Sequence, residues 1–219
     1  ANSWIKLMKI DFIFDVVCPW CYIGKRRLEQ ALALRPGVMP EINYRPFLLN
    51  PQLPAEGIDH DTYLSGKFGS ERRISRIYDA ISEVGQSVDI HFKFDDIDRA
   101  PNTLDAHRMI SLAADAGRAG EGVEALYGAY FLDGLNIGDT DVLVDIGINV
   151  GLNGQVLREY LQGDDGKRAV FDNNAQIHRL GVNGVPSFIF GPLMIISGAQ
   201  DEVVLVRVID AAIAAEKAA

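Results

Sequence analysis

The chain contains two cysteines, and they lie two residues apart in the motif Cys18-Pro19-Trp20-Cys21. In a reducing compartment such a pair is rarely a structural crosslink and more often redox-active or metal-binding. A structural zinc ion usually needs about four ligands, and the histidines are too scattered to complete a set with this pair. The four histidines are His60, His91, His107 and His178. We therefore predict dithiol–disulfide chemistry and no metal site.

The elements on either side of the motif place the two sulfurs differently. Residues 9–17 alternate and are rich in Phe, Ile and Val, which predicts a strand that runs directly into Cys18. Apolar residues at helical spacing follow Cys21 and stop at Arg35-Pro36-Gly37. Cys18 then lies at a helix N-terminus, where unpaired N–H groups and the helix dipole stabilise a thiolate. We expect Cys18 to attack a substrate and Cys21 to resolve the mixed disulfide.

Neighbouring side chains refine this candidate site. Pro19 belongs to the first helical turn, where its missing N–H costs nothing. Trp20 offers an apolar surface that either contacts a substrate or packs at the edge of the domain. Asp15 precedes Cys18 by three residues; it is either buried beneath the pair, where it would raise thiol pKa values or relay protons, or simply hydrogen-bonded at the strand end. The sequence leaves both pairs of alternatives open.

The remaining elements alternate between strands and helices. A second strand is predicted over residues 42–49, and Pro46 inside it indicates an edge position, a bulge or an early end. Helices are predicted over residues 70–84, 102–116, 122–131, 139–150, 153–161, 166–180 and 199–215, and a hairpin over residues 187–190 and 193–196. Asp139 or Thr140, and Asn153, are candidate N-caps. The order predicts an α/β mixed sheet with a parallel β-α-β unit and an embedded helical subdomain.

Composition excludes some classes of partner. The chain has 219 residues and a formal net charge of −9, which argues against nucleic acid and anionic membrane as partners. No apolar run approaches the roughly 20 residues that span a bilayer. Two basic clusters, Lys25-Arg26-Arg27 and Arg72-Arg73, are expected to be solvated helix faces. If translation starts at Met8, the chain enters its first strand without room for a signal peptide, and we expect a cytoplasmic protein.

Five segments occur in order along nearly the whole chain. They are Asp15-x-x-Cys18-Pro19-Trp20-Cys21-Tyr22-Ile23-Gly24-Lys25, Arg45-Pro46-Phe47-Leu48-Leu49-Asn50-Pro51, Asn102-Thr103-x-x-Ala106-His107-Arg108, Gly181-Val182-x-Gly184-Val185-Pro186 and Ser197-Gly198-Ala199-Gln200. Each alone is weak, but as a set they resemble the FrnE-like branch of the DsbA family of thiol–disulfide oxidoreductases.

The resemblance implies a thioredoxin-like mixed sheet with an inserted all-helical subdomain. Residues 8–58 and 163–219 would form one discontinuous thioredoxin-like domain, and residues 59–162 the helical insertion. It also implies a cis peptide bond between Val185 and Pro186 that faces the sulfurs, although only about 5–6% of X-Pro bonds in folded proteins are cis. The backbone of Val185 would then hydrogen-bond an extended substrate. The implied substrate groove consists of Pro19, Trp20, Val185 and Pro186.

A related branch suggests a different activity. Kappa-class glutathione transferases and 2-hydroxychromene-2-carboxylate isomerases look similar in fold but carry Ser where this chain has Cys18, so the retained dithiol favours redox chemistry. Asn50, Gln200 and Asp201 nevertheless fall where that branch resembles a glutathione-binding pattern, and Asp201 could equally be a helix-terminal acid. His107 lies in a helical pattern typical of a core histidine, while its motif places it near the site.

We therefore predict a dithiol–disulfide oxidoreductase that acts on a protein or small thiol or disulfide. It would hold no tightly bound cofactor, with glutathione as a candidate co-substrate. The first alternative is a glutathione-dependent isomerase or transferase that acts on an aromatic or polyketide-like small molecule. The second is a non-catalytic module that holds an extended peptide near Trp20 and Pro186. The sequence leaves the substrate, the direction of exchange and the oligomeric state open.

Overall fold

A computed structural model describes residues 6–192 and 194–218. The chain alternates strands and helices at both ends and is mainly helical between them. In chain order the elements are β1 (Lys6–Phe14), α1 (Pro19–Ala33), β2 (Val38–Pro46), β3 (Ile58–Asp59), α2 (His60–Phe68), α3 (Glu71–Gln86), a 3-10 turn (Phe94–Asp96), β4 (Arg99–Ala100), α4 (Leu104–Asp115), α5 (Ala119–Phe131), α6 (Thr140–Asn149), α7 (Gly154–Gln162), α8 (Lys167–Arg179), β5 (Ser187–Phe190), β6 (Met194–Ser197) and α9 (Glu202–Ala218).

The main sheet has four strands in the order β2-β1-β5-β6. Strand β1 pairs in parallel with β2, because α1 carries the chain back across the sheet between them. It pairs antiparallel with β5, and β5 pairs antiparallel with β6. The mixed sheet predicted from the order of elements is therefore confirmed.

Strand β1 is the centre of the core because both of its faces are covered. Met8, Ile10, Phe12 and Phe14 point to one face and are fully buried or nearly so. Ile13 points to the other face and belongs to a second buried cluster. The other buried members of that cluster are Phe47, Ile177, Val182 and Ile189. Packing on both faces holds the C-terminal end of β1 in place, and the cysteine motif follows from that end.

The ends of two strands differ from the sequence prediction. Strand β1 begins at Lys6, because Lys6 and Leu7 pair with Val38 and Met39 of β2, and it ends at Phe14 before a turn. Strand β2 covers Val38–Pro46 rather than residues 42–49. It is an edge strand that ends at its proline, as two of the predicted alternatives for Pro46 required. Leu193, the predicted first residue of the last strand, lies outside the described residues.

The helical region between β2 and α8 contains more elements than predicted. Helix α2 and the two-residue strands β3 and β4 were not predicted, because short segments carry little periodicity. The predicted caps are present: Asp139 accepts a hydrogen bond from the N–H of Asp141, and Asn153 accepts one from Val156. The boundaries proposed for the two domains stay a prediction.

The basic cluster Lys25-Arg26-Arg27 in the middle of α1 is not a solvated face, and this prediction was wrong. The Lys25 side chain is 7% exposed, and its ammonium lies 2.7 Å from Glu124 of α5 and 2.6 Å from Glu29. The Arg26 guanidinium also pairs with Glu124. Burial opposes the charge of Lys25, but the hydrogen bonds to Glu124 and Glu29 outweigh it and raise its pKa. The pairing fixes the cysteine-bearing helix to the helical region.

Candidate active site

Cys18 occupies the junction between the turn after β1 and the start of α1. It is the N-cap of the helix, with φ −97° and ψ 109°, and Pro19 takes the first helical position. Its carbonyl accepts hydrogen bonds from the N–H groups of Cys21, at 3.0 Å, and Tyr22, at 3.3 Å. The sulfur therefore sits at the N-terminus of a 15-residue helix, the position that favours a thiolate.

The two thiols are free and differ in exposure. Cys18 is 6% exposed, whereas Cys21 is completely buried. Burial is the largest cause that raises the pKa of Cys21 well above its usual 9.0, and the hydrogen bond and charge of Cys18 raise it further. Cys21 is accordingly held as a neutral thiol while Cys18 is the sulfur that an incoming group can reach.

The loop before β5 faces the first sulfur. The Val185–Pro186 peptide bond is cis, and the Cys18 Sγ lies 3.9 Å from the carbonyl oxygen of Val185. Gly24 of α1 makes this approach possible, because a Cβ there would lie 3.0 Å from Cγ of Pro186. The glycine in the motif therefore has a packing role: it lets the helix lie directly against the proline loop.

Asp15 is buried between the sulfur pair and α4. Its Oδ1 accepts a hydrogen bond from the N–H of Val16 at 2.8 Å, and its Oδ2 accepts one from the N–H of Leu49 at 2.8 Å. The Nε2 of His107 lies 3.1 Å from Oδ1, and both side chains are almost completely buried. Asp15 is thus hydrogen-bonded at the strand end. It acts on the pKa of Cys21 in two opposite ways: a hydrogen bond with the Asp15 backbone lowers that pKa, and the charge of Asp15 raises it by less.

Tyr127 is a residue near the site that the sequence did not single out. Its side chain is fully buried and stacks on Tyr22, with ring centroids 4.7 Å apart. Among the described residues, its hydroxyl has no hydrogen-bond partner. Burial, followed by the charges of Cys21, Cys18 and Asp15, raises its pKa well above 10.0. In the sequence it is only one of several apolar or aromatic positions on α5, which predicts a core residue.

A cavity of about 300 Å³ opens at Cys18, and we call it the Cys18 cavity. Trp20 and Asn50 line it as well, and Trp20 is 38% exposed. The rest of the wall is mainly apolar and aromatic and comes from α2, α3, α5 and the segments beside β4. Its members include Leu64, Ile77, Ile81, Phe94, Ile97 and Phe131. Among the residues that the structure describes, the lining includes Cys18 but not Cys21.

The structure separates the predicted glutathione contacts. Asn50 shares the Cys18 cavity, whereas Gln200, Asp201 and His107 are not among its lining residues. Asp201 pairs with Arg27 at 2.9 Å, and Gln200 donates to the carbonyl of Ser197. Glutathione binding by these residues stays a prediction.

Within residues 6–192 and 194–218, no group of three or more His, Cys, Asp or Glu side chains could hold a metal ion. No helix in the same ranges is both long and apolar enough to cross a membrane.

A dithiol at the N-terminus of a helix, a mixed four-stranded sheet and a facing cis-proline loop define a thioredoxin-like protein. The DSBA-like thioredoxin domain family matches residues 9–210. The chain therefore belongs to this family, and the family resemblance and the fold class predicted from the sequence are confirmed. The fold supports an oxidoreductase or a related enzyme that acts on thiol or disulfide substrates.

Three solved structures illustrate the range of related proteins. The structure of a probable DsbA oxidoreductase, SCO1869 from Streptomyces coelicolor, is 29% identical with a TM-score of 0.85, and the match covers 94% of this chain and 89% of the other. A 2-hydroxychromene-2-carboxylate isomerase is 16% identical with a TM-score of 0.70 and coverages of 96% and 98%. The cytosolic disulfide reductase DsbM from Pseudomonas aeruginosa, solved with GSH, is 18% identical with a TM-score of 0.63 and coverages of 95% and 98%. The last two structures show only that their fold is the same as that of this chain.

Proposed function

We propose that this protein is a dithiol–disulfide oxidoreductase in which Cys18 attacks and Cys21 resolves. One observation carries the proposal: the Cys18 cavity reaches the sulfur at the helix N-terminus and does not include Cys21. A substrate disulfide therefore meets Cys18 first, and Cys21 is held next to the site where the mixed disulfide forms. The order matches the assignment made from the sequence.

The exchange proceeds in two steps. The Cys18 thiolate attacks one sulfur of a substrate disulfide, the S–S bond breaks, and one thiolate leaves while a mixed disulfide remains on Cys18. Cys21 then loses its proton and attacks the Cys18 sulfur, which forms the Cys18–Cys21 disulfide and releases the second thiolate. Two electrons pass from the dithiol to the substrate, and the reverse sequence oxidises a substrate dithiol.

The second step needs a group that takes the Cys21 proton from a buried position. We assign this role to Asp15, supported by His107, because the Asp15 carboxylate is buried, acts electrostatically on Cys21 and pairs with the His107 ring. The Val185 carbonyl, 3.9 Å from the Cys18 sulfur, is positioned to accept a hydrogen bond from a substrate bound beside Trp20 and Pro186.

Glutathione is the proposed co-substrate that returns the pair to its starting state, and the cytoplasm is the proposed location. The solved DsbM structure is described as a cytosolic disulfide reductase with GSH, which is compatible with both proposals. Direction against a glutathione pool depends on the reduction potential of the pair, which a titration with glutathione redox buffers measures.

Single cysteine variants test the function. We expect Cys18→Ser to lose disulfide exchange completely. We expect Cys21→Ser to accumulate a mixed disulfide on Cys18 that non-reducing mass spectrometry detects, and the double variant should accumulate none. If both single variants exchange disulfides at the wild-type rate, the proposal is wrong.

A glutathione-dependent isomerase or transferase is the second candidate, favoured by the apolar, small-molecule-sized Cys18 cavity. In that case glutathione would bind tightly to the Cys21→Ser variant, and turnover of an aromatic substrate would survive the loss of Cys21. If the protein catalyses neither reaction but binds an extended peptide with undiminished affinity when both thiols are alkylated, a binding module rather than either enzyme is supported.

A further inference from the structure

The shape and lining of the Cys18 cavity restrict what can reach the reactive sulfur. Its volume of about 300 Å³ lies at the lower end of the range for small-molecule sites, roughly 300–1,000 Å³. A polypeptide that entered it would bury main-chain amide and carbonyl groups against side chains such as Leu64, Ile81 and Phe94. Such groups cost free energy when they have no hydrogen-bond partner. The walls therefore favour an organic thiol with an apolar body over a peptide.

Three polar side chains form a hydrogen-bonded series along one wall of the Cys18 cavity. The ammonium of Lys67 donates to the hydroxyl of Tyr63 at 2.8 Å, and that hydroxyl donates to Oδ1 of Asn50 at 3.2 Å. The Asn50 amide oxygen accepts this bond, and its Nδ2 is the group that can donate to a ligand. Lys67 keeps further N–H groups for the same purpose, because an ammonium has three.

Lys67 also supplies the charge of the cavity. Among the described residues that line the cavity, no other residue is a Lys, Arg, Asp or Glu. Its ammonium lies 5.2 Å from the ring centroid of Tyr63 and 5.5 Å from that of Phe68, which holds it beside the aromatic wall. Within residues 6–192 and 194–218 no carboxylate forms an ion pair with it. A positive charge at an exposed rim, above apolar walls and a buried sulfur, complements an anionic apolar molecule.

We propose that the Cys18 cavity selects a small disulfide or thiol that combines an apolar, preferably aromatic, body with a carboxylate, the sulfur meeting Cys18 and the carboxylate meeting Lys67 and Asn50. This inference rests on the proposed function, since it names the substrate class of the same dithiol. The exchange is the one given above: the ligand's S–S bond breaks, a Cys18–ligand disulfide forms, and an aromatic thiolate leaves. A subsequent attack by Cys21 releases the second aromatic thiolate.

Four probe disulfides separate the parts of this inference. The probes are 5,5′-dithiobis(2-nitrobenzoate), which is aromatic and anionic; 4,4′-dithiodipyridine, which is aromatic and uncharged; hydroxyethyl disulfide, which is small and polar; and glutathione disulfide. Each rate with the reduced protein is divided by the rate of the same probe with free 2-mercaptoethanol, which removes differences in intrinsic reactivity. We expect the normalised rate to be highest for the aromatic anion and higher for both aromatic probes than for the other two.

Three variants identify the groups responsible. We expect Lys67→Gln to slow the aromatic anion by about 3- to 10-fold, as for a partly exposed charge-assisted contact, and to leave the uncharged aromatic probe unchanged. Lys93→Gln is the matched control, because Lys93 is an exposed lysine outside the lining of the Cys18 cavity. Ile77→Phe fills part of the apolar wall and should slow both aromatic probes more than the smaller hydroxyethyl disulfide; equal slowing of all the probes would contradict the role of the apolar wall, and the unfolding midpoint in urea checks that the variant is folded.

The outcomes distinguish this inference from the proposed function. If all four probes have equal normalised rates, if glutathione disulfide is preferred, or if Lys67→Gln and Lys93→Gln behave alike, the substrate class is wrong although the dithiol still exchanges. If no probe reacts with the reduced protein at all, the proposed function itself fails.

Discussion

Iodoacetamide reacts with thiolates, so its rate at each cysteine reports how ionised and how accessible that sulfur is. We expect the reduced, folded protein to be alkylated at Cys18 while Cys21 stays unmodified at neutral pH. Cys18 lines a cavity and has 6% of its surface exposed, whereas Cys21 has none. The proposed order of attack depends on this difference.

The expected protection of Cys21 has two sources. A thiol with the usual pKa of 9.0 is only about 1% ionised at pH 7, since each pKa unit changes the ionised fraction tenfold. Burial, and then the hydrogen bond and charge of Cys18, raise the pKa of Cys21 well above that value. Its alkylation is therefore expected to be at least about 100-fold slower than that of a fully ionised thiolate. Exclusion of the reagent by burial slows it further.

Peptide mass spectrometry over a time course measures both rates in one sample. Protein unfolded in urea is the control, and there the two cysteines should react at comparable rates. The Cys18→Ser variant adds a second comparison: Cys21 loses two of the causes that raise its pKa but keeps burial, the largest, and should remain protected. Modification of Cys21 as fast as Cys18 in the folded wild-type protein would refute the assignment of the attacking sulfur.

Three further predictions concern stability. The folded pKa of Cys21 lies above the unfolded value of 9.0, so the unfolded state loses that proton first as the pH rises. The free energy of unfolding should therefore fall above pH 9 by about 1.4 kcal/mol per pH unit for this thiol. Cys21→Ala should remove that part of the pH dependence, measured by urea titrations at several pH values. Glu124→Gln removes the carboxylate shared by Lys25 and Arg26 and should cost about 1–3 kcal/mol in urea unfolding, reduced by its partial exposure. Arg108→Met should cost about 3–5 kcal/mol in the same assay, because Arg108 is fully buried and donates to backbone carbonyls at the end of α7.

An exposed ion pair provides the matched control for the two charge variants. Arg158 pairs with Asp141, and both side chains are well exposed, so Arg158→Gln is expected to change stability by about 0.5 kcal/mol or less. Equal losses in the free energy of unfolding for Arg158→Gln and Glu124→Gln would contradict the claim that burial makes the Lys25–Glu124 ion pair contribute more to stability than an exposed pair. A reduced protein whose stability is flat above pH 9 would contradict the raised pKa of Cys21.

Much of the fold could be predicted because its signals are local. The alternation that ends before Cys18, the proline at the first helical position and the cap residues Asp139 and Asn153 depend on neighbours within one or two turns. The ends of the strands could not be predicted in this way. Strand β1 starts at Lys6 because β2 is there to pair with it, and the residue pattern within β1 carries no information about that pairing.

The motif residues His107 and Arg108 show what a sequence pattern leaves out. Both belong to a segment that resembles the family, yet each also has partners in distant parts of the chain. His107 meets Asp15, 92 positions away, and Arg108 donates to the Tyr160, Leu161 and Gly163 carbonyls more than 50 positions away. A buried polar side chain must find partners, but its identity alone does not say which segment supplies them.

The sequence by itself determined the dithiol, its place at a strand–helix junction and the order of the main-sheet strands and longer helices, because these follow from residue type and spacing along one segment. The tertiary structure alone decided that Lys25 is buried against Glu124, that the Tyr127 hydroxyl lies in the core with no hydrogen-bond partner in the described part of the chain, and that a cavity reaches Cys18. Charge burial and cavity walls are properties of several segments packed together, and the free energy that fixes them comes from contacts between residues far apart in the chain.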